Sequence, residues 1–371
     1  MQICKNCIQP DTRPGIYFNE EGTCGACLWE NEKKKIDWKS RWNELEKISS
    51  WAKNTTKSNY DCVIGVSGGK DSTRQALTAR DNLGLRCLLV YSEPEGITDV
   101  GRQNIENLKN LGFDLLGLRP NPQIMKKLIK RDFYKHLNPV KITEYSLWSS
   151  AYIIADQFNI PLLIQGENPS LTLGVSLTLD TDDNALNADQ QNTLKSDWHE
   201  YLDVDGVEEN DLFLFHYDRK RLEEKGIRGV WLQYYLKDWS FRQNAEFSQK
   251  HGFRGRQENF DPESIGTYVH FSQVDSDLVQ VNQMHKYIKF GFGQCMDHVC
   301  YDLRDNSITR QKAIELVKKY DGKCSDFYIR KFCEYIDITV DEYWPVVNKF
   351  RGKMWKKDHK GNWHNSIWDL F

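Results

Sequence analysis

At 371 residues, with 39% hydrophobic and 28% charged positions, the chain can bury a large core, and two domains with an appendage are expected. A net charge of −3 and a pI near 6.3 provide no general attraction for nucleic acid, which favours a basic face. No apolar run approaches the roughly 20 residues needed to cross a bilayer. Met1-Gln2-Ile3-Cys4-Lys5 has no basic segment leading into an apolar one, so the expected compartment is the cytoplasm. Ten cysteines in such a chain point to reduced thiols and metal ligation rather than disulfides.

The first element is a pair of knuckles, Cys4-x-x-Cys7 and Cys24-x-x-Cys27, separated by 16 residues. This spacing suits four thiolates around one tetrahedral zinc, and an iron–sulfur cluster accepts the same set. With four cysteines no coordination position stays open, so the expected role is structural. Pro10, Pro14, Gly15, Tyr17 and Phe18 between the pairs suggest a loop with little core of its own, folded by the metal. The piece is bounded at 1–30. Residues 31–58 follow as a charged helical linker carrying Trp38, Trp42 and Trp51.

The next segment is the most informative. Tyr60-Asp61-Cys62-Val63-Ile64-Gly65-Val66 reads as a short strand that stops at Ser67-Gly68-Gly69 and opens a helix at Lys70-Asp71-Ser72. Two glycines let backbone approach a ligand, and the free N–H groups and dipole of a helix start favour a phosphate. Ser67 and Ser72 add hydroxyls and Lys70 a cation. Asp71 stands in the first turn, where a carboxylate also stabilises a helix. The string lacks the Walker A spacing and resembles the SGGxDS signature of the PP-loop ATP pyrophosphatases. The resemblance implies that Val66 to Ser72 bind ATP, with Ser67, Lys70, Asp71 and Ser72 serving catalysis and magnesium sharing the charge.

Beyond it the chain alternates as a doubly wound α/β fold with a parallel sheet over 59–255. Strands are expected at 61–66, 86–91, 113–118, 161–165 and 211–216, with helices at about 71–82, 99–111 and 145–158. Ligands in such sheets bind beyond the carboxyl ends of the strands. Ser92 and Glu93 are therefore expected near adenine and ribose, Gly166 near the phosphates, and Glu167 on magnesium or substrate, unless Glu167 is a cap or surface ion pair. Residues 177–211 are acidic (Asp180, Asp182, Asp183 and Asp189 among them) and read as an insertion, either a lid or a solvated loop. Trp231, Tyr234, Tyr235 and Trp239 read as one face of a helix, in the core or stacked on a sugar. Residues 256–371 are expected to be mostly helical. There Met284 to Gly293 runs into Asp297-His298, where Asp297, His298, Asp302 and Arg304 suit an anion or a proton, or a plain helix cap. Cys62, Cys87, Cys295, Cys300, Cys324 and Cys333 read as packing residues.

Taken together, the four cysteines, Val66 to Ser72, Ile160 to Pro169, and Lys289-Phe290-Gly291-Phe292-Gly293 with Asp297-His298 resemble the N-acetyl sugar amidotransferase family over nearly the whole length. The resemblance implies conversion of a sugar N-acetyl group to an acetamidino group for bacterial surface polysaccharide or nonulosonate synthesis. It makes Asn168, Lys289, Asp297 and His298 expected substrate contacts. Gln294-Cys295-Met296 stands where the family carries an Arg-Ala-containing segment, so sugar specificity is expected to differ. Gln2 replaces the cysteine an N-terminal-nucleophile glutaminase needs, and Gly293 to Asp297 is no nucleophile elbow. The resemblance therefore implies a separate glutaminase and a barrel-shaped ammonia-delivering subunit, similar to the halves of imidazole glycerol phosphate synthase. Two rivals remain: a tRNA-thiolating PP-loop enzyme, opposed by the acidic pI and the lack of a second CxxC pair, and a non-catalytic nucleotide-binding scaffold.

Overall fold

The computed structural model describes residues 1–175, 182–187, 197–257 and 259–371. Helices α1 (Gly25–Glu32) and α2 (Trp38–Thr55) precede β1 (Cys62–Val66), α3 (Lys70–Leu77), β2 (Cys87–Ser92), α4 (Asp99–Asn110) and β3 (Asp114–Leu118). Then come α5 (Pro122–His136), α6 (Lys141–Phe158), β4 (Leu162–Gln165), α7 (Pro169–Leu173), α8 (Arg219–Glu224), β5 (Arg228–Trp231) and α9 (Phe241–Lys250). Helices α10 (Pro262–Ile265), α11 (Leu278–Phe290), α12 (Gln294–Arg304), α13 (Arg310–Tyr320), α14 (Asp326–Tyr335) and α15 (Val340–Lys349) form the C-terminal region. A hairpin of β6 (Trp355–Lys357) and β7 (Trp363–Asn365) closes it.

The main sheet is parallel throughout, in the order β3-β2-β1-β4-β5. Its inner strands are nearly continuous apolar runs because both faces are covered. Ile64, Leu89 and Ile164 pack on one face with Leu77 and Trp239, while Val63, Val90 and Leu163 pack on the other against Ala151, Tyr152 and Ala155 of α6. The strand order reverses between β1 and β4. The crevice beyond their carboxyl ends is thus the topological switch point where such sheets receive ligands.

Two expectations are corrected. The fifth strand is 228–231, whereas 211–216 belongs to a 3-10 turn over Glu209–Phe215. There Glu208 and Asp211 cap each other's backbone N–H, and Leu212 and Phe215, three apart, are buried together. Trp231, Tyr234, Tyr235 and Trp239 do not share a helix: Trp231 ends β5, Tyr234 closes a single 3-10 turn, and the other two follow it. The helix expected over 71–82 is present, as α over Lys70–Leu77 and one wider π turn over Thr78–Asn82. Asp180 and Asp189 of the acidic stretch lie outside the described residues. Of its described remainder, 182–187 packs beside β5, where Asp183 pairs with Arg228, and 197–211 packs on α5, with Tyr201 donating to Asp132 at 2.8 Å and Asp203 paired with Arg131 at 2.8 Å.

The N-terminal cysteine piece shares its core with the far end of the chain. Cys4, Cys7, Ile8, Cys24 and Cys27 pack with Phe292, Met296 and Val299 around α12 and with Val317 of α13. Helix α11 stops at Gly291, whose φ of 75° and tight contact with the C-terminal turn suit only glycine; a Cβ there would lie 2.5 Å from Ile367 Cδ1. Two residues on, α12 starts under the buried Asp321 carboxylate, which accepts from the N–H of Gly293 (2.7 Å) and Met296 (3.2 Å).

Candidate active site

β1 delivers the chain to the Ser67-Gly68-Gly69 turn, and α3 begins at Lys70. Gly68 has a φ of 76°, and a Cβ on it would press to 3.2 Å on Asn104 and Ile105 of α4. The turn is gripped by α9, which packs along α3. Ser248 Oγ donates to the Lys70 carbonyl at 2.5 Å, and Asn244 Nδ2 donates to Asp71 Oδ1 at 2.6 Å. Arg74 in turn donates to Asn244 Oδ1 at 2.6 Å, so the amide has only one useful orientation. Lys70 pairs with Asp71 and lies 4.7 Å over the Phe241 ring.

A cavity of about 420 Å³ opens over this turn, and Ser67, Gly69, Lys70 and Asp71 form one wall. Glu167, just beyond β4, lines it too. Desolvation, reinforced by the neighbouring Asp71 carboxylate, pushes the Glu167 carboxyl up to about 7, against the pull of Lys70. From the opposite side α12 presents Asp297 and His298, followed a turn later by Tyr301 and then Arg304. Trp148, Trp239 and Phe241 add aromatic surface.

Burial works against ionised Asp297, yet Arg13 and Lys286 hold its carboxyl below the usual carboxylate range; Lys286 Nζ donates to Oδ2 at 2.7 Å. Burial lowers His298 to about 3, so it is a neutral imidazole at any working pH. Its Nδ1 meets Thr267 Oγ1 at 2.6 Å, and its ring stacks on Phe241 at 5.0 Å.

Other expected site residues are placed elsewhere. Val66 is in the sheet core, and Ser72 Oγ donates to the Gly69 carbonyl at 3.1 Å behind the turn. Gly166 lies against Gln75 and Trp239, where a Cβ would come within 3.0 Å of Gln75 Oε1. Asn168 is fully buried and caps α7 through its side chain to the Ser170 N–H at 2.9 Å. Ser92 lines an adjoining cavity of about 160 Å³ together with Ser67, whereas Glu93 pairs with Arg119 at 3.2 Å. Lys289 donates to the His136 carbonyl at 3.0 Å and is absent from the cavity lining. Asp302 is a buried brace for Arg242 and Tyr268.

The four N-terminal thiols converge. Cys4 and Cys27 sulfurs are 3.8 Å apart, Cys7 and Cys24 sulfurs 3.6 Å, and all four lie within 4.8 Å of one another. A tetrahedron with metal–sulfur bonds of about 2.3 Å has edges of about 3.8 Å, so the buried cluster fits a tetrathiolate ion. Arg310 orients the first knuckle by donating to the carbonyls of Lys5 and Cys7, each at 3.1 Å.

Sequence reasoning missed Arg13, Phe241, Asn244 and Gln233. Gln233 Oε1 accepts from the Asn168 N–H (2.8 Å) and Thr172 Oγ1 (3.1 Å), fixing the chain just beyond Glu167. No local motif marks these residues, because each acts across the fold; only Ser240 ahead of Phe241 is legible, as the N-cap of α9.

Residues 256–369 match the family described as LPS biosynthesis protein WbpG-like, C-terminal domain, a region that includes Asp297, His298 and Arg304. No curated protein matches the chain. Among solved structures, it is similar to an NMN synthetase from Francisella tularensis at 14% identity and a TM-score of 0.33, covering 82% of this chain and 98% of that one. It is also similar to a predicted subunit of tRNA methyltransferase from Methanocaldococcus jannaschii at 16% identity and a TM-score of 0.29, covering 51% and 75%. At these scores neither likeness bears on the chemistry.

Proposed function

We propose that the protein is an ATP-dependent amidotransferase. It transfers AMP to the N-acetyl oxygen of a sugar, releases pyrophosphate, and replaces that oxygen with ammonia to give an acetamidino sugar for surface polysaccharide. The observation that carries this reading is the shared cavity: Lys70 and Asp71 at the phosphate-type turn face Asp297 and His298 on α12. The match of the C-terminal region to an LPS biosynthesis family gives the polysaccharide context.

An amide oxygen is a poor leaving group, and its adenylate is a good one. The amide oxygen attacks the α-phosphorus as the bond to pyrophosphate breaks; ammonia then adds to the imidate carbon, and AMP departs with the oxygen. Backbone N–H groups of the turn and Lys70 stabilise the departing pyrophosphate. Asp71 and Glu167 are the carboxylates placed to hold magnesium, which would neutralise phosphate charge. Neutral His298 and the aromatic wall orient the sugar and keep water from returning the imidate to the amide. The four-cysteine cluster would hold a structural zinc. Ammonia comes from a partner glutaminase with its barrel-shaped subunit. None of the ten cysteines lines the 420 Å³ cavity, which disfavours thiolation.

The test is pyrophosphate release from ATP with ammonium and a panel of N-acetyl sugars, products read by mass spectrometry. The expected result is sugar-dependent release and an acetamidino product. The isolated chain should use ammonium and ignore glutamine until the partner is added. Release driven by tRNA, or none with any sugar, overturns the reading.

A further inference from the structure

Two cations line the cavity, and they are engaged very differently. Lys70 is paired with Asp71 at the Ser67-Gly68-Gly69 turn. Arg304, in the last turn of α12, pairs with no carboxylate among the described residues, and its one hydrogen bond is a long one, 3.4 Å to the Thr172 carbonyl. Other arginines around the site are committed: Arg13 to Asp297 and Arg242 to Asp302. A guanidinium carries five donors in a planar fork, so most of the recognition capacity of Arg304 is unused.

Its position gives that capacity a purpose. Arg304 is six residues past His298 on the same helix, about 9 Å further along the axis at 1.5 Å per residue. Its side chain reaches the Thr172 carbonyl, so it lines the wall formed by α12 and the chain after β4. Behind it lies a small cavity lined by Cys24 and Cys300, which offers the guanidinium no carboxylate other than Asp297, already paired with Arg13 and Lys286. In front, Tyr301 presents a ring 5.0 Å from the guanidinium carbon. Of the carboxylates beside it, Glu30 is paired with Lys33, and burial pushes the Asp305 carboxyl up.

We propose that Arg304 is the anchor for an anionic group on the sugar substrate, the diphosphate of a nucleotide-linked sugar or the carboxylate of a sugar acid. This rests on the amidotransferase reading and deepens it. ATP is held through the turn at Lys70, and the second substrate is held by its oxyanion at Arg304, which sets the N-acetyl group between them. An oxyanion suits the fork because two parallel N–H donors meet two oxygens. A neutral N-acetyl sugar forfeits that contact.

The test is equilibrium binding without turnover, followed by tryptophan fluorescence, since Trp148 and Trp239 line the cavity. The probes are a UDP-N-acetylhexosamine, an N-acetylated nonulosonate and neutral N-acetylglucosamine, with ATP titrated separately. Full-length wild type, Arg304→Met and Arg304→Lys are compared, and the metal content of each is measured. Wild type is expected to prefer an anionic sugar to the neutral one, and the better of the two anionic probes identifies the oxyanion. Arg304→Met should weaken that probe by about tenfold or more, a charge-assisted contact, while ATP binding stays unchanged. Arg304→Lys keeps the charge but not the fork, and should lose several-fold with full metal content. Equal losses for neutral and anionic sugars, or an unchanged anionic affinity in both variants, overturns the proposal. If wild type binds ATP but no sugar of any class, the amidotransferase reading itself fails and the anchor falls with it.

Discussion

Arg13 of the cysteine piece reaches into the cavity wall and pairs with Asp297 of α12, nearly 300 residues later in the chain. The same piece clamps the other wall. The Tyr17 N–H donates to the Gly174 carbonyl at 2.9 Å, and Gly174 packs so closely on α1 that a Cβ there would lie 2.5 Å from the Ala26 nitrogen. The cluster therefore sets both Asp297 and the chain after Glu167 without any cysteine lining the 420 Å³ cavity. Arg13→Met is expected to lower stability by about 3 kcal/mol, the low end for breaking a buried pair, because Lys286 still faces Asp297. Turnover should fall as well, through loss of sugar affinity more than of ATP affinity. Denaturant melts and separate KM values for the two substrates check this.

The cluster's own prediction separates ligands from neighbours. Cys27→Ala should lose bound metal and loosen the 1–30 piece, whereas Cys300→Ala should keep about one metal per chain. Cys300 is buried beside Cys7 on α12 but stands outside the converging four. Elemental analysis of protein purified without chelators, with limited proteolysis, distinguishes the two variants. Equal loss in both would make Cys300 a ligand.

At the Ser67-Gly68-Gly69 turn, Lys70→Ala is expected to reduce pyrophosphate release by about 10²–10³-fold, the usual cost of a lost charge-stabilising donor, with the fold intact. Asn244→Ala probes positioning. Its amide holds Asp71 and is itself held by Arg74, so its loss should cost about 10- to 100-fold in turnover by freeing the carboxylate. Asn244→Asp should be worse than alanine, since it sets a second carboxylate against Asp71. Single-turnover rates with circular dichroism controls decide the order.

Legibility in the sequence followed locality. Four strands, the Ser-Gly-Gly turn and the paired knuckles were readable because each is set by neighbours a few residues apart. The fifth strand was not, because Leu212-Phe213-Leu214-Phe215 is a short apolar run that reads as a buried strand, while the reciprocal cap of Glu208 and Asp211 makes a tight turn. The true strand, Arg228-Gly229-Val230-Trp231, is diluted by a glycine that it needs: a Cβ on Gly229 would lie 2.9 Å from Leu186. Helix α5 has a start legible in the sequence, with Asn121 capping and Pro122 in the first turn. Of the candidate site, the residues on the turn and on α12 were legible as motifs. Their grip by Asn244, Arg74 and Arg13 depends on contacts 164 or more residues apart and leaves no local mark.

The Glu167 carboxyl gives the pH dependence two opposite signs. Its value is raised from 4.5 to about 7 in the folded protein, chiefly by desolvation and then by Asp71. Between these values the native state keeps a proton that the unfolded chain has released. Its contribution to stability therefore declines as pH rises from about 4.5 to 7. The effect on melting temperature should be small: the walls around the cavity raise the carboxyl, but its own surface stays open to the water in that cavity, which screens it. On the proposed role of Glu167 toward magnesium, activity should move the other way, increasing through pH 7 as the carboxylate forms. A dication favours the ionised form, so more magnesium should shift this limb to lower pH. Glu167→Gln should abolish both the limb and its magnesium dependence, leaving a flat, low profile. His298 cannot supply the limb: burial holds it near 3, so its imidazole resonances should not titrate between pH 5 and 8. Rate profiles at several magnesium concentrations, with NMR of the histidine ring, test the assignment, and a limb that survives in Glu167→Gln would transfer it to another group.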